Sequence, residues 1–278
     1  MTIRLHSKPS TLHSKPSTLH CALCTFLLLL LTGCTPISSY LNHQGKEKVE
    51  IRRFDRLEYR YITTGDFLSL QQMCTDYPTE MRTLIEEVLK IGQVDKEDVK
   101  SKLLTFFQDS TLIAIARDTE EIYANTDFLN DQLNEAFSSL IEQIPQAEIP
   151  SIYTQIGSLD QSIIIKDGSI GISLDKYLGS DYPIYRKYYD ERQRATMTTE
   201  RIVPDCIVFY LISLYPLENF STTSQAEKDD YIGRLFWIAN QILDRRAFDE
   251  APLHKIEETV LKQHPDITID EMLLSLRK

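Results

Sequence analysis

The chain has 278 residues, of which 42% are hydrophobic and 26% charged, enough apolar material for a buried core and too much for a disordered chain. Its 30 Lys and Arg stand against 41 Asp and Glu, a net charge of −11. The first 33 residues hold three of the cations and no acid, so the remainder carries −14 and is repelled by a phosphate backbone, which makes nucleic-acid binding the least favoured class.

Residues 5–20 read LHSKPST LHSKPST LH, a seven-residue tandem repeat with Pro9 and Pro16 inside it. Repeated prolines suit neither helix nor strand, and one leucine per heptad is too few for a coiled coil. The apolar segment Cys21–Leu31 follows; its eleven residues fall short of the roughly 20 that span a bilayer. A basic stretch before a short apolar one predicts a signal peptide over residues 1–33.

Leu31-Thr32-Gly33-Cys34 resembles the bacterial lipobox, which implies cleavage before Cys34, acylation of its thiol and a mature chain of 245 residues. Each buried CH₂ contributes roughly 0.8 kcal/mol, so several acyl chains anchor such a protein to a membrane permanently. Thr35 stands where an inner-membrane retention signal has Asp, which points to the outer membrane. No acidic run follows Cys34, which points to the periplasmic face.

Residues 34–48 are polar and irregular and predict a flexible tether, leaving 49–278 as a single domain. Cys21 and Cys24 leave with the signal peptide. Cys74 and Cys206 then remain, either as one disulfide or as two free thiols, and are too few for a Cys-based metal site.

Val49–Leu57 reads as a short strand or extended lead-in. Asp66 then caps a helix carrying Phe67, Leu68, Leu70 and Met73, which Pro78 ends, and Thr79 caps a second with Met81, Leu84, Ile85 and Val88. Asp95 or Lys96 opens a third through Leu103 and Phe107. Asp109 caps a fourth through Ile115 and Tyr123, and Asp127 starts a fifth with Leu133, Phe137 and Leu140.

The pattern changes at Pro150. Ser151–Ile156 alternates, and Ser162–Lys166 and Ser169–Ser173 flank Asp167-Gly168, a two-residue hairpin turn. These runs predict a small antiparallel three-stranded sheet with helices packed on it. Apolar runs at 207–214 and 232–243, and a cap at Asp266 or Thr268, predict three further helices, so the fold class is α+β, mostly helical.

After the hairpin, Leu174, Asp175, Tyr177, Leu178, Asp181, Tyr182 and Tyr185, with Tyr188 and Tyr189 behind them, form a tyrosine-rich candidate loop for a partner or ligand. Phenols stack on sugars and peptides, and they also clamp loops onto a body. Asp175, Asp181 and Asp205 lie beside apolar segments, where burial raises a carboxyl pKa. No His-Glu-x-x-His, phosphate-binding glycine loop or nucleophile elbow occurs, and no cofactor is indicated.

The ordered set of segments resembles the gliding-motility lipoprotein GldB family of Bacteroidota over roughly residues 49–215. The carriers are the lipobox, Ile51-Arg52-Arg53-Phe54-Asp55, Phe106–Ser110, Ile152-Tyr153-Thr154 and, above all, Gly171-Ile172-Ser173-Leu174-Asp175-Lys176-Tyr177-Leu178-Gly179-Ser180-Asp181-Tyr182-Pro183. The resemblance implies a scaffold of the zincin peptidase type, with a His-Glu-x-x-His helix after the hairpin. That helix here reads Pro204-Asp205-Cys206-Ile207-Val208-Phe209-Tyr210-Leu211-Ile212, without histidine, which implies no metal and no catalysis. The resulting expectation is a lipid-anchored accessory of an envelope machine with a protein partner. Its rivals are an envelope hydrolase using Asp175 and Asp181, which requires convergent acids in a cleft, and a small-molecule carrier, which requires a closed apolar pocket.

Overall fold

The computed structural model describes residues 48–276; the tandem repeat, the apolar segment, Cys34 and the tether sequence to residue 47 lie outside the described residues. Strand β1 is only Ile51–Arg52, and a helix, α1 (Phe54–Thr64), replaces the expected extended lead-in. Phe54, Glu58, Tyr61 and Ile62 share its inner face at helical spacing, but the acids Asp55 and Glu58 are buried among them and break the apolar pattern.

Asp66 caps α2 (Phe67–Asp76), its carboxylate accepting from the Leu68 and Ser69 amides. Pro78 is the first residue of α3 (Pro78–Thr83), so Tyr77, not Thr79, occupies the cap, and α3 runs on through a π turn at Leu84–Val88. There follow α4 (Val99–Phe106), opening later than expected, α5 (Ser110–Ile122), capped by Asp109, and α6 (Asp127–Gln143).

Strands β2 (Ser151–Gln155), β3 (Ile163–Lys166) and β4 (Ser169–Ser173) fall where the alternation places them. Asp167 and Gly168 both have positive φ, 48° and 74°, as the two-residue turn requires. The expected three-stranded antiparallel sheet is instead a four-stranded mixed one of order β1-β2-β4-β3. Only β3 and β4 are antiparallel; β2 runs parallel to β4, Tyr153 opposite Gly171, and β1 parallel to β2, Ile51 opposite Ile152. Local alternation and turn chemistry specify the hairpin but not which of its strands receives β2.

Neighbouring residues on a strand point to opposite faces, and here they enter two different cores. Ile152, Ile170 and Ile172 pack with α6 and the C-terminal helices, whereas Tyr153, Ile156 and Ile164 pack with α1 through α5. Helices therefore cover both faces of the sheet. On the second face Gly171 makes room for its paired neighbour, since a Cβ there would lie 2.5 Å from the Tyr153 ring.

The chain continues through a 3₁₀ turn (Leu174–Lys176), short helices α7 (Tyr185–Tyr188) and α8 (Glu191–Ala195), and a second 3₁₀ turn (Thr199–Arg201). It ends with α9 (Ile202–Leu214), α10 (Gln225–Ile242), α11 (Ala251–Ile256) and α12 (Ile269–Ser275), the last capped by Thr268. No helix among the described residues is long and apolar enough to cross a membrane.

Candidate functional site

Where β4 ends, the chain turns back on itself around Asp175. This side chain has no solvent exposure; its Oδ1 accepts the Gly157 amide at 2.7 Å and its Oδ2 the Leu159 amide at 2.6 Å. Burial pushes its carboxyl pKa up, and the two amide bonds hold it down. The group ties the β2–β3 loop to the hairpin.

The tyrosines close the loop over it. Tyr177 is buried, donates its hydroxyl to Asp205 Oδ2 at 2.8 Å, and offers its carbonyl to the Tyr123 hydroxyl at 2.6 Å. Tyr185, also buried, donates to the Asp175 carbonyl and accepts the Leu178 amide at 3.0 Å. Tyr182 donates to Asp118 Oδ2 and Tyr189 to the Leu159 carbonyl, each at 2.8 Å, and their rings pack edge-on against Tyr185. Leu174 is fully buried, and Leu178 packs against the core.

Asp181, by contrast, is 85% exposed and pairs with Arg186 at 2.8 Å. The two carboxylates required by a hydrolase are thus separated by burial: Asp175 has no open face, and the pair forms no acid–base cleft.

Asp205 on α9 is the third acid singled out by sequence. Its Oδ1 accepts Arg201 Nε at 3.0 Å, and Arg201 continues to Glu250 Oε1 at 2.7 Å and lies 4.1 Å above the Phe248 ring. Burial pushes the Asp205 carboxyl up to about 6, against the opposing pull of Arg201 and Tyr177. The adjacent Cys206 is fully buried, whereas Cys74 is exposed on α2. Both are free thiols, Cys206 inside the core and Cys74 facing solvent.

A second polar group, not identified from sequence as a site, sits at the carboxyl ends of the parallel strands. Arg53 holds Asp55 through two bonds, 2.9 and 2.7 Å, and Thr154 donates to the same carboxylate. Glu58 Oε2 accepts the Ile156 amide at 2.9 Å, and Gln155 Nε2 donates to Ser173 Oγ at 3.1 Å. Burial, then the charges of Asp175 and Asp55, push the Glu58 carboxyl well above its ordinary value. Its Oε1 and the Gln155 Oε1 are both buried without a hydrogen-bond partner. The sequence signal was the Arg53-Phe54-Asp55 string, which carries no chemistry until α1 brings it against β2.

Zinc does not fit these residues. Among the described residues no group of three or more His, Cys, Asp or Glu side chains is placed to hold a metal ion. His254 bonds Asp249 on the exposed C-terminal surface at 2.7 Å, far in sequence from the hairpin. Two cavities of about 310 and 330 Å³ flank the turn after α10. Trp237, Asn240, Asp244 and Arg245 line the first, and Gln132, Glu135, Glu200 and Arg245 the second, so neither is a closed apolar pocket and neither is lined by the tyrosine loop.

These features define an α+β domain with helices on both sheet faces and a tyrosine-clamped loop leading to a histidine-free helix. The chain belongs to the GldB family: the family model described as "Gliding motility protein GldB" matches residues 39–248. The match extends beyond the resemblance seen in the sequence and takes in α10. No curated protein matches the chain, and no solved structure does.

Proposed function

We propose that this protein is a GldB-like lipoprotein, anchored through acylated Cys34 to the periplasmic face of the outer membrane, that serves a gliding-related envelope machine as a non-catalytic partner. The observation that carries the reading is the closure of the site. Asp175, the acid that directly follows the hairpin, is fully buried and bonded to two backbone amides, so this carboxylate has no open face from which to act as acid or base. Family membership supplies the setting.

In this reading the buried residues Leu174, Asp175, Tyr177 and Tyr185 hold the loop's shape, and its outer side meets the partner. Asp181, Arg186, Lys187 and Tyr188 are exposed there, Tyr188 by 64%, and of these Tyr188 and Arg186 are of the residue types enriched at protein interfaces. Mild crosslinking in native membranes followed by purification of the acylated protein, with zinc measured on the same sample, tests the reading. A stoichiometric envelope protein without zinc is expected; stoichiometric zinc without a partner overturns it.

A further inference from the structure

The outer face of α2 differs from the rest of this acidic surface. Ser69, Leu70 and Met73 point inward, while Phe67, Leu68, Gln71, Gln72, Cys74 and Thr75 are exposed, so residues 67–75 present no charge in a chain that is 26% charged. Phe67 is 64% and Leu68 68% exposed, side by side in the first turn, just after the left-handed Gly65. The neighbouring cap carboxylate, Asp66, is turned onto the Ser69 hydroxyl at 2.6 Å and feels the charge of Arg60, which is exposed on α1.

We infer that this tip docks on a lipid surface, with Phe67 and Leu68 entering the headgroup region and Arg60 facing lipid phosphates. The inference rests on the Cys34 anchor proposed above. From Cys34 to Lys48 is 14 residues, a reach of at most about 50 Å, so an anchored body stays beside the bilayer. A body with an excess of acids is repelled by anionic headgroups, and the uncharged stretch 67–75, with Asp66 and Asp76 only at its two ends and Arg60 beside the first, is the one that approaches them. The apolar residues also favour lipid over a protein groove. A helix lying in a groove presents anchors at i, i+3 or i+4, and i+7, whereas here they stop after one turn and polar uncharged residues follow, the arrangement of a shallow wedge.

Cys74 stands seven residues after Phe67 on the same outer face and reports on the contact, because Cys206 is buried and Cys34 is blocked by acylation. The acylated protein is placed on phosphatidylethanolamine/phosphatidylglycerol vesicles and treated with a membrane-impermeant maleimide. Cys74 should react at least about tenfold more slowly than in the Phe67→Ser/Leu68→Ser variant on the same vesicles, with both proteins floating with the lipid. Equal rates with both afloat overturn the docking of α2 and leave the anchor standing. Failure of both to float overturns the anchor, and the docking with it. Protection confined to native membranes and absent from the vesicles overturns the lipid assignment in favour of a protein. Both substituted side chains are exposed, and unchanged circular dichroism of the variant verifies its fold.

Discussion

The Tyr177 hydroxyl reaches Asp205 Oδ2 at 2.8 Å and so fastens the loop after the hairpin to α9. Arg201 continues the connection from Asp205 to Glu250 beyond α10. Helix α9, for which the family resemblance implied metal ligands, is here a strut between the loop and the C-terminal helices.

Tyr177→Phe removes one hydroxyl and leaves Asp205 Oδ2 without its donor in a mostly buried position. Stability should fall by about 1–3 kcal/mol, the cost of an unsatisfied buried acceptor. Denaturant unfolding of the variant, compared with Asp205→Asn and the double variant, measures the coupling. Additive losses would show that the bond carries no stability.

Glu58 gives a pH signature with a definite sign. Its carboxyl lies well above the ordinary value of 4.5 when folded, so the folded state keeps a proton that the unfolded state gives up. Stability from this group is therefore lost as pH rises from about 4.5 to the folded value, by up to about 1.4 kcal/mol per pH unit, and levels off above it. Glu58→Gln mimics the neutral acid. Its stability relative to wild type should improve as pH is raised above about 4.5 and then level off, and a difference that stays constant as pH rises from 4 would refute a retained proton.

Gly171→Ala places a methyl against the Tyr153 ring in a two-sided core. Overpacking of this kind costs typically about 1–3 kcal/mol. A thermal midpoint several degrees below wild type is expected, and an unchanged midpoint would mean the ring moves aside freely.

The two thiols should separate by reactivity. In the processed, acylated protein released from the membrane in mild detergent and still folded, Cys74 takes up maleimide and Cys206 does not; both react after denaturation. Mass spectrometry of the peptides reads the outcome, and protection of Cys74 together with Cys206 until reduction would restore the disulfide.

The hairpin was legible because its information is local: two β-branched runs and Asp167-Gly168 between them suffice. The caps Asp66, Asp109 and Thr268 were legible for the same reason. Helix α1 was not, because its inner face mixes Phe54 and Tyr61 with Asp55 and Glu58, whose partners Thr154 and the Ile156 amide lie 99 and 98 residues away. The parallel pairing of β2 with β4 was hidden in the same way, being decided by helices on both faces of the sheet. For the tyrosine loop, sequence supplied the residues and left open whether they meet a ligand or clamp the chain; the bonds of Tyr177, Tyr182, Tyr185 and Tyr189 to protein atoms show the clamp.

The central claim, a non-catalytic protein that works through a partner on the loop's outer side, is tested most directly by placing a photo-reactive residue at Tyr188 and, as a control, at exposed Glu258 in the C-terminal region. Irradiated in native membranes, position 188 should yield one crosslinked envelope protein that position 258 does not. Equal labelling from both positions, or no product from 188 in cells that carry the working machine, would contradict the account.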